Sequence, residues 1–227
     1  MRKVFFSLLF SFLMSLCYPQ EERIVVSLDN FTELKAFDGI SVELIKSTEN
    51  KAVITGANTQ KVAIVNNKGR VKIRMTIDKI FSGYRTFVKL YHTAELKVVD
   101  VNEDARIFSN DVLVQNILGI RAQESGELEL NCQVEQLLVK AVTGGNITIK
   151  GFTDNQDIQI NTGGRYTANE FKSKFTTISV NAGGNASIYA TNYVKADVKA
   201  GGTVKVYGDP EKMDEKTVFG GKIERVQ

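Results

Sequence analysis

The chain has 227 residues, a formal net charge of +3, ordinary apolar content, 18 Gly, 2 Pro, 2 Cys, 1 His and no Trp. That length accommodates one large all-β domain or two small ones, and the composition predicts a folded core instead of a disordered chain. Near-neutral charge argues against nucleic acid as a partner, because phosphate contacts require a basic surface.

Residues 1–17 read as a secretory signal. Arg2 and Lys3 form a positive start, Val4 to Leu16 is an apolar run too short to span a membrane, and Ser15 and Cys17 are small residues before a cut at Tyr18. Removal lowers the formal charge from +3 to +1 by taking Arg2 and Lys3. An alternative keeps Cys17 as the acylated residue of a lipoprotein, against which stands the bulk of Leu16. After cleavage no membrane span is expected, and Cys132 is the one thiol left, so no intrachain disulfide forms. Between Leu130 and Val134, Cys132 reads as a buried apolar residue and not as a nucleophile.

Residues 18–29 form a lead-in that ends in the strand-like Ile24–Leu28 run. Alternating or apolar runs follow at Ile40–Lys46, Ala52–Gly56 and Val62–Val65. Asn66-Asn67-Lys68-Gly69 is a turn into Val71–Met75. Residues 77–86 lose the alternation and contain Phe81-Ser82-Gly83-Tyr84, which predicts an exposed loop. Phe87–Tyr91 and Leu96–Val99 complete a half with more irregular strands. His92 reads there as a surface or capping residue.

The second half is periodic. Gly144-Gly145, Gly163-Gly164, Gly183-Gly184, Gly201-Gly202 and Gly220-Gly221 recur at nearly constant spacing. Ser125-Gly126 stands one such interval before the first pair, and Asp104-Ala105 a slightly longer interval before that. Five and three positions ahead of each pair stand apolar residues: Val139, Ile158, Ile178 and Ala196, then Ala141, Ile160, Val180 and Val198. Three and five positions after it stand Ile147, Tyr166, Ala186 and Val204, then Ile149, Ala168, Ile188 and Val206. Between the first two sets lie the polar Lys140, Gln159, Ser179 and Asp197. Apolar positions recurring at fixed offsets are the signature of stacked coils. The expected fold is all-β, a right-handed parallel β-helix or β-solenoid-like stack of about 18–21-residue coils. Strands about 4.8 Å apart would make a rod of roughly 30 Å. The glycine pairs read as corners that need positive φ and close backbone approach. A phosphate cradle would instead require a helix after each pair, and strands follow.

By this point the residues resemble a known family. Phe37-Asp38-Gly39-Ile40-Ser41-Val42 is similar to the opening F-x-x-I-x-V motif of the putative auto-transporter adhesin head domain, or head GIN domain. The order that follows also resembles it: Val53-Ile54-Thr55-Gly56, Val71-Lys72-Ile73, a Leu96-centred strand, then small-residue corners. Asp104-Ala105 departs from it where the family has glycine. The resemblance covers about residues 30–227 and implies one exported, mostly bacterial, β-solenoid-like domain without known catalysis.

Candidate chemistry is sparse. Asp100, Asn102, Asp104 and Asp111 occupy positions one, three, five and twelve of a would-be calcium loop, but Ala105 replaces the loop glycine and strands flank it; solvated strand ends are the competing reading. Asp154 and Asp157 are the carboxylates that a polysaccharide lyase or hydrolase would use, yet Lys172 and Lys174 stand at the same place on the next coil. Arg165, Lys172, Lys174, Lys195 and Lys205 form either a basic stripe for anionic glycans or, with Asp154, Asp157, Glu170 and Asp197 between them, a mixed-sign surface. Asn161 and Asn181 share an offset that predicts a side-chain ladder. No catalytic, cofactor or metal residue is assigned. The expectation is a non-enzymatic exported cell-envelope or secreted domain in an adhesin, binding or scaffold role, with a cell-surface glycan or envelope protein as partner. It would reside in the periplasm, on the outer surface or outside the cell. A carbohydrate-active β-helix enzyme is the alternative; a groove with two carboxylates in catalytic reach would distinguish it.

Overall fold

The structure, a computed structural model, describes residues 23–226. The signal-peptide reading, with Cys17, lies outside the described residues. The strands are β1 (Ile24–Ser27), β2 (Glu33–Ala36), β3 (Ser41–Lys46), β4 (Lys51–Gly56), β5 (Val62–Asn67), β6 (Arg70–Met75), β7 (Thr86–His92) and β8 (Val98–Val101). They continue as β9 (Arg106–Ala122), β10 (Glu127–Val142), β11 (Asn146–Asn161), β12 (Arg165–Val180), β13 (Asn185–Lys199), β14 (Thr203–Tyr207), β15 (Lys212–Val218) and β16 (Lys222–Arg225).

From β9 onward every pairing is parallel, and each coil lies on the next at the predicted interval. Arg106 pairs with Glu127, Glu127 with Asn146, Asn146 with Arg165, Arg165 with Asn185, and Asn185 with Thr203. The result is a β-solenoid of about seven turns of roughly 19 residues. Val139, Ile158, Ile178 and Ala196 form one inward column in register, and Ala141, Ile160, Val180 and Val198 the next. All eight are at most 3% exposed. Side chains in a strand alternate between faces, so two successive outward residues mark a bend. In β10 the alternation breaks at Glu135-Gln136, in β11 at Asp154-Asn155, and in β12 at Lys174-Phe175. These bends separate a second face from a third; the first face follows each glycine corner. Bending strips carbonyls of their ladder partners, and inward polar side chains replace them. Gln115 Nε2 donates to the Leu96 carbonyl at 2.9 Å and the Ile117 carbonyl at 2.6 Å; Thr153 Oγ1 donates to Glu135 and Asn155 at 3.1 and 3.0 Å. Deeper in the core the Tyr166 hydroxyl donates to Gln156 Oε1 at 2.9 Å, and Gln156 Nε2 donates to Ser173 and Thr176 at 3.0 and 2.9 Å.

The glycine corners form a single column of main-chain hydrogen bonds. Each is a two-residue turn whose central residues both have positive φ, from 48° to 78°: Thr143-Gly144, Thr162-Gly163, Ala182-Gly183, Ala200-Gly201 and Phe219-Gly220. This is the type I′ geometry, closed for example by the Gly164 N–H on the Asn161 carbonyl at 3.0 Å. The second central residue donates to the first central residue of the next coil. Ser125 donates to Thr143, Gly144 to Thr162, Gly163 to Ala182, Gly183 to Ala200 and Gly201 to Phe219, at 3.0–3.1 Å. The two glycines of a pair therefore do different things. Gly163 (φ 72°) takes the left-handed backbone, and a Cβ there would meet nothing within 4 Å. Gly164 needs no positive φ, but its Cβ would lie 2.3 Å from the Ala141 carbonyl oxygen of the preceding coil.

The N-terminal half is wound out of sequence order. β2 pairs in parallel with both β6 and β8, and β3 with both β7 and β9. The β2–β3 coil is thus sandwiched between one coil made of β6 and β7 and another made of β8 and β9. Antiparallel strands finish this end, β5 on β6 and β1–β4 on β7. Asp38-Gly39 (φ 62° and 74°), between β2 and β3, belongs to the same corner column: Gly39 N–H donates to Glu103 at 2.9 Å, and Asp104 N–H donates to Glu124 at 3.1 Å.

The far end changes character. In the last coil Glu215 is stacked on buried Ala196, Thr217 on Val198 and Arg225 on Val206. Arg225 Nη2 bonds Glu215 Oε1 at 3.0 Å across that end. Inward-facing charge is a device against edge-to-edge association. The double variant E215V/R225V should therefore shift to larger species with rising concentration in sedimentation velocity, relative to the parent. Identical profiles would show that the pair does not guard that end against association.

Candidate binding site at the N-terminal end

Where the other corners of this column take two residues, β6 and β7 are joined by the ten residues 76–85. Asp38 organises this loop. It is 4% exposed; its Oδ2 accepts the Met75 N–H at 2.9 Å and its Oδ1 accepts the Phe81 N–H at 3.2 Å. Gly83 N–H donates to the Asp38 carbonyl at 3.0 Å, which extends the corner column by one more bond. The Tyr84 ring packs on Gly39, and its hydroxyl donates to Asp104 Oδ2 at 3.1 Å. That bond, with burial second, raises the phenol above its ordinary pKa.

Held this way, the loop presents Ile77 (79% exposed), Ile80 (48%) and Phe81 (57%) to solvent. Phe81 sits at φ 58°, a conformation that costs an aromatic residue roughly 1–2 kcal/mol. Between the loop and the outward face of β5–β6 lies a cavity of about 510 Å³, lined by Phe37, Val65, Lys72, Arg74, Ile80 and Glu103. Lys72 and Arg74 occupy alternate exposed positions of β6. Among the described residues neither forms an ion pair. Burial, then the charges of Asp38 and Glu124, raise the Glu103 carboxyl above its usual range. The arrangement offers an apolar floor with Lys72 and Arg74 on one wall and two carboxylates, Asp38 and Glu103, at the corner; both Asp38 oxygens are committed to main-chain N–H groups.

The residues singled out in the sequence lie elsewhere. Asp100 is buried and bonds Lys35 Nζ at 2.8 Å, with Asn102 and Gln123 both donating to it at 3.1 Å. Asp104 serves Tyr84, and Asp111 accepts the Lys46 N–H at 3.1 Å. Among the described residues no group of three His, Cys, Asp or Glu side chains is placed to hold a metal ion. Cys132 is buried, which pushes its thiol up to about 12. Asp154 is tied to Lys174 at 2.7 Å and sits across a bend from Asp157. The would-be basic stripe is spread over three faces: Arg165 and Lys205 on the first, Lys172 and Lys174 on the second, Lys195 on the third. Pairs such as Lys150–Glu170 (2.9 Å) and Lys199–Asp197 (3.1 Å) make the surface one of mixed sign. Lys140, Gln159 and Ser179 face outward as expected, and Asp197 is half-buried.

Two readings are corrected. His92 is not at the surface: it takes the inward phase of β7 after Val88 and Leu90, is 2% exposed, and bonds the Ala94 carbonyl through Nδ1 at 2.9 Å. Burial lowers its pKa. Asn161 and Asn181 form no side-chain ladder among the described residues; their carbonyls close the turns to Gly164 and Gly184, so the main chain supplies the stacking bonds. The loop itself was visible in sequence as a break in alternation. Its anchor was not, because Asp38 is 43 residues from Phe81.

Residues 30–210 match the family described as "Putative auto-transporter adhesin, head GIN domain". No curated protein matches the chain in sequence. Solved structures share the architecture. A protein named a putative adhesin from Bacteroides fragilis NCTC 9343 superposes with a TM-score of 0.81 at 15% identity, over 92% of this chain and 98% of its own. One so named from Parabacteroides merdae ATCC 43184 gives 0.65 at 19%, over 92% and 97%. One named a putative lipid binding protein from Parabacteroides distasonis ATCC 8503 gives 0.68 at 17%, over 92% and 98%. At these identities the likeness establishes the fold. With the matched family spanning the whole sandwiched N-terminal coil and all but the last strands of the stack, the chain belongs to the head GIN domain family.

Proposed function

We propose that the protein is an exported, non-enzymatic binding domain of the cell envelope that engages its partner through the 76–85 loop and the cleft beneath it. The observation that carries this reading is the loop: three large apolar side chains held in solvent by a buried carboxylate, at strain, on a rigid stack. Large exposed apolar groups on a fixed scaffold mark interaction sites. The non-enzymatic part rests on the carboxylates: Asp154 is paired with Lys174 and does not face Asp157, and of the two acids in the cleft, Asp38 has both oxygens committed to the Met75 and Phe81 N–H groups, which leaves Glu103 without a free partner acid. No helix among the described residues is long and apolar enough to cross a membrane. The adhesin and lipid-binding names of the structural relatives agree with a binding role.

Purified protein should adsorb to isolated envelope fractions, and I77S/F81S should weaken that adsorption at least 10-fold with an unchanged melting temperature. Equal adsorption by the variant would sink the loop as the site. Fractionation of the native cell tests export, and retention in the cytoplasm would overturn that part.

A further inference from the structure

We infer that the cleft beneath the 76–85 loop takes an anionic amphiphile, an apolar chain ending in a carboxylate or phosphate. This deepens the preceding reading and rests on the cleft being the binding site. Lys72 and Arg74 are two residues apart on one strand, so their side chains leave the sheet on the same side about 7 Å apart. That spacing brackets a single oxyanion, for which the planar Arg fork and the mobile Lys ammonium are complementary donors.

Neither cation is tied up in an ion pair among the described residues. On β5, Val65 lies opposite Lys72 and Ala63 opposite Arg74, so neither cation has an acid across the ladder. On the other side Lys35 pairs with Lys72, but its ammonium is committed to Asp100 at 2.8 Å. Of the two acids lining the cavity, Asp38 has both oxygens engaged by the Met75 and Phe81 N–H groups. The other, Glu103, follows β8 at the same corner as Asp38. Lys72 lies three residues before Met75, whose N–H Asp38 binds, so the anion is drawn to the Lys72 side of the pair, away from both acids. Phe37 and Ile80 provide the apolar path for the chain, continued in solvent by Ile77 and Phe81. A cavity of about 510 Å³ falls within the usual range for a small ligand. A second cleft, along Arg106, Glu129 and Lys150, differs in kind: its cations are held by Glu129 and Glu170.

The test uses the purified chain and an 11-carbon fatty acid carrying a dansyl group. Its fluorescence should rise on binding and be displaced by oleate, with oleyl alcohol at least 10-fold weaker. K72Q/R74Q, which alters only exposed side chains, should weaken oleate at least 10-fold without changing the melting temperature. Phosphatidylglycerol vesicles as competitor separate a lipid headgroup from a free fatty acid: displacement by vesicles assigns the headgroup, displacement by oleate alone the free acid. Oleyl alcohol matching oleate, or K72Q/R74Q binding like the parent, overturns the anionic assignment. No binding of any of these probes, with envelope adsorption still lost in I77S/F81S, overturns this inference and leaves the loop as the site.

Discussion

Gly164→Ala should severely destabilise the stack, whereas Gly163→Ala, its immediate neighbour, should cost only about 1–2 kcal/mol. At Gly163 the added methyl meets no atom within 4 Å, so the whole effect is the left-handed backbone at φ 72°. At Gly164 the backbone would tolerate alanine, but the methyl would sit 2.3 Å from the Ala141 carbonyl oxygen. That oxygen belongs to the neighbouring coil, so relief means prising two coils apart along a ladder locked on both sides. The loss should exceed about 4 kcal/mol, the range reserved for disrupted cores. Urea unfolding of the two single variants measures both. Equal losses would show that backbone conformation, and not inter-coil approach, selects glycine at the second position.

Asp38→Ala should be the most damaging polar substitution at the N-terminal end. It deprives a buried N–H at Met75 and a part-buried one at Phe81 of their acceptors together. Hydrogen bonds to a charged group are each worth about 1.5–3 kcal/mol, so a loss of about 3–5 kcal/mol is expected. Asp38→Asn keeps one carbonyl oxygen and should lose roughly half as much. Hydrogen exchange separates this from general destabilisation: amides of residues 76–85 should lose protection in Asp38→Ala, while those of β11–β13 keep theirs. A loop as protected as in the parent would mean that Gly83 and Tyr84 alone hold it.

How much of this was legible beforehand follows from which contacts are local in sequence. From Asp104 onward each coil touches the one that follows it directly in the chain, so Val139, Ile158, Ile178 and Ala196 declare their column without reference to any distant segment. Asp38-Gly39 occupies the same corner column as Glu103-Asp104 but lies far upstream of it, with β3 to β8 intervening, a gap that no regular period reveals. His92 was misplaced because a polar residue at a strand end reads as exposed, whereas the phase set by Val88 and Leu90 turns it inward. Gln156, Ser173 and Thr176 were missed in the same manner. They are polar yet inward, and only their mutual hydrogen bonds with Tyr166 make that acceptable. The Lys72–Arg74 pair alternates as any exposed strand face would. The cleft above it exists only because Asp38 pulls the following loop across.

The sandwiched β2–β3 coil also sets an order of assembly. β2 must wait for β6, and then for the still more distant β8, before both its edges are satisfied. A chain emerging N-terminus first therefore has no self-sufficient nucleus until β9 is made, and it closes its longest loops first, the slow step for distant contacts. After that, growth is by accretion: each further coil lands on a finished template. Chains shortened from the C-terminus by whole coils should still mature around the binding end. What they lose is the Glu215–Arg225 terminator.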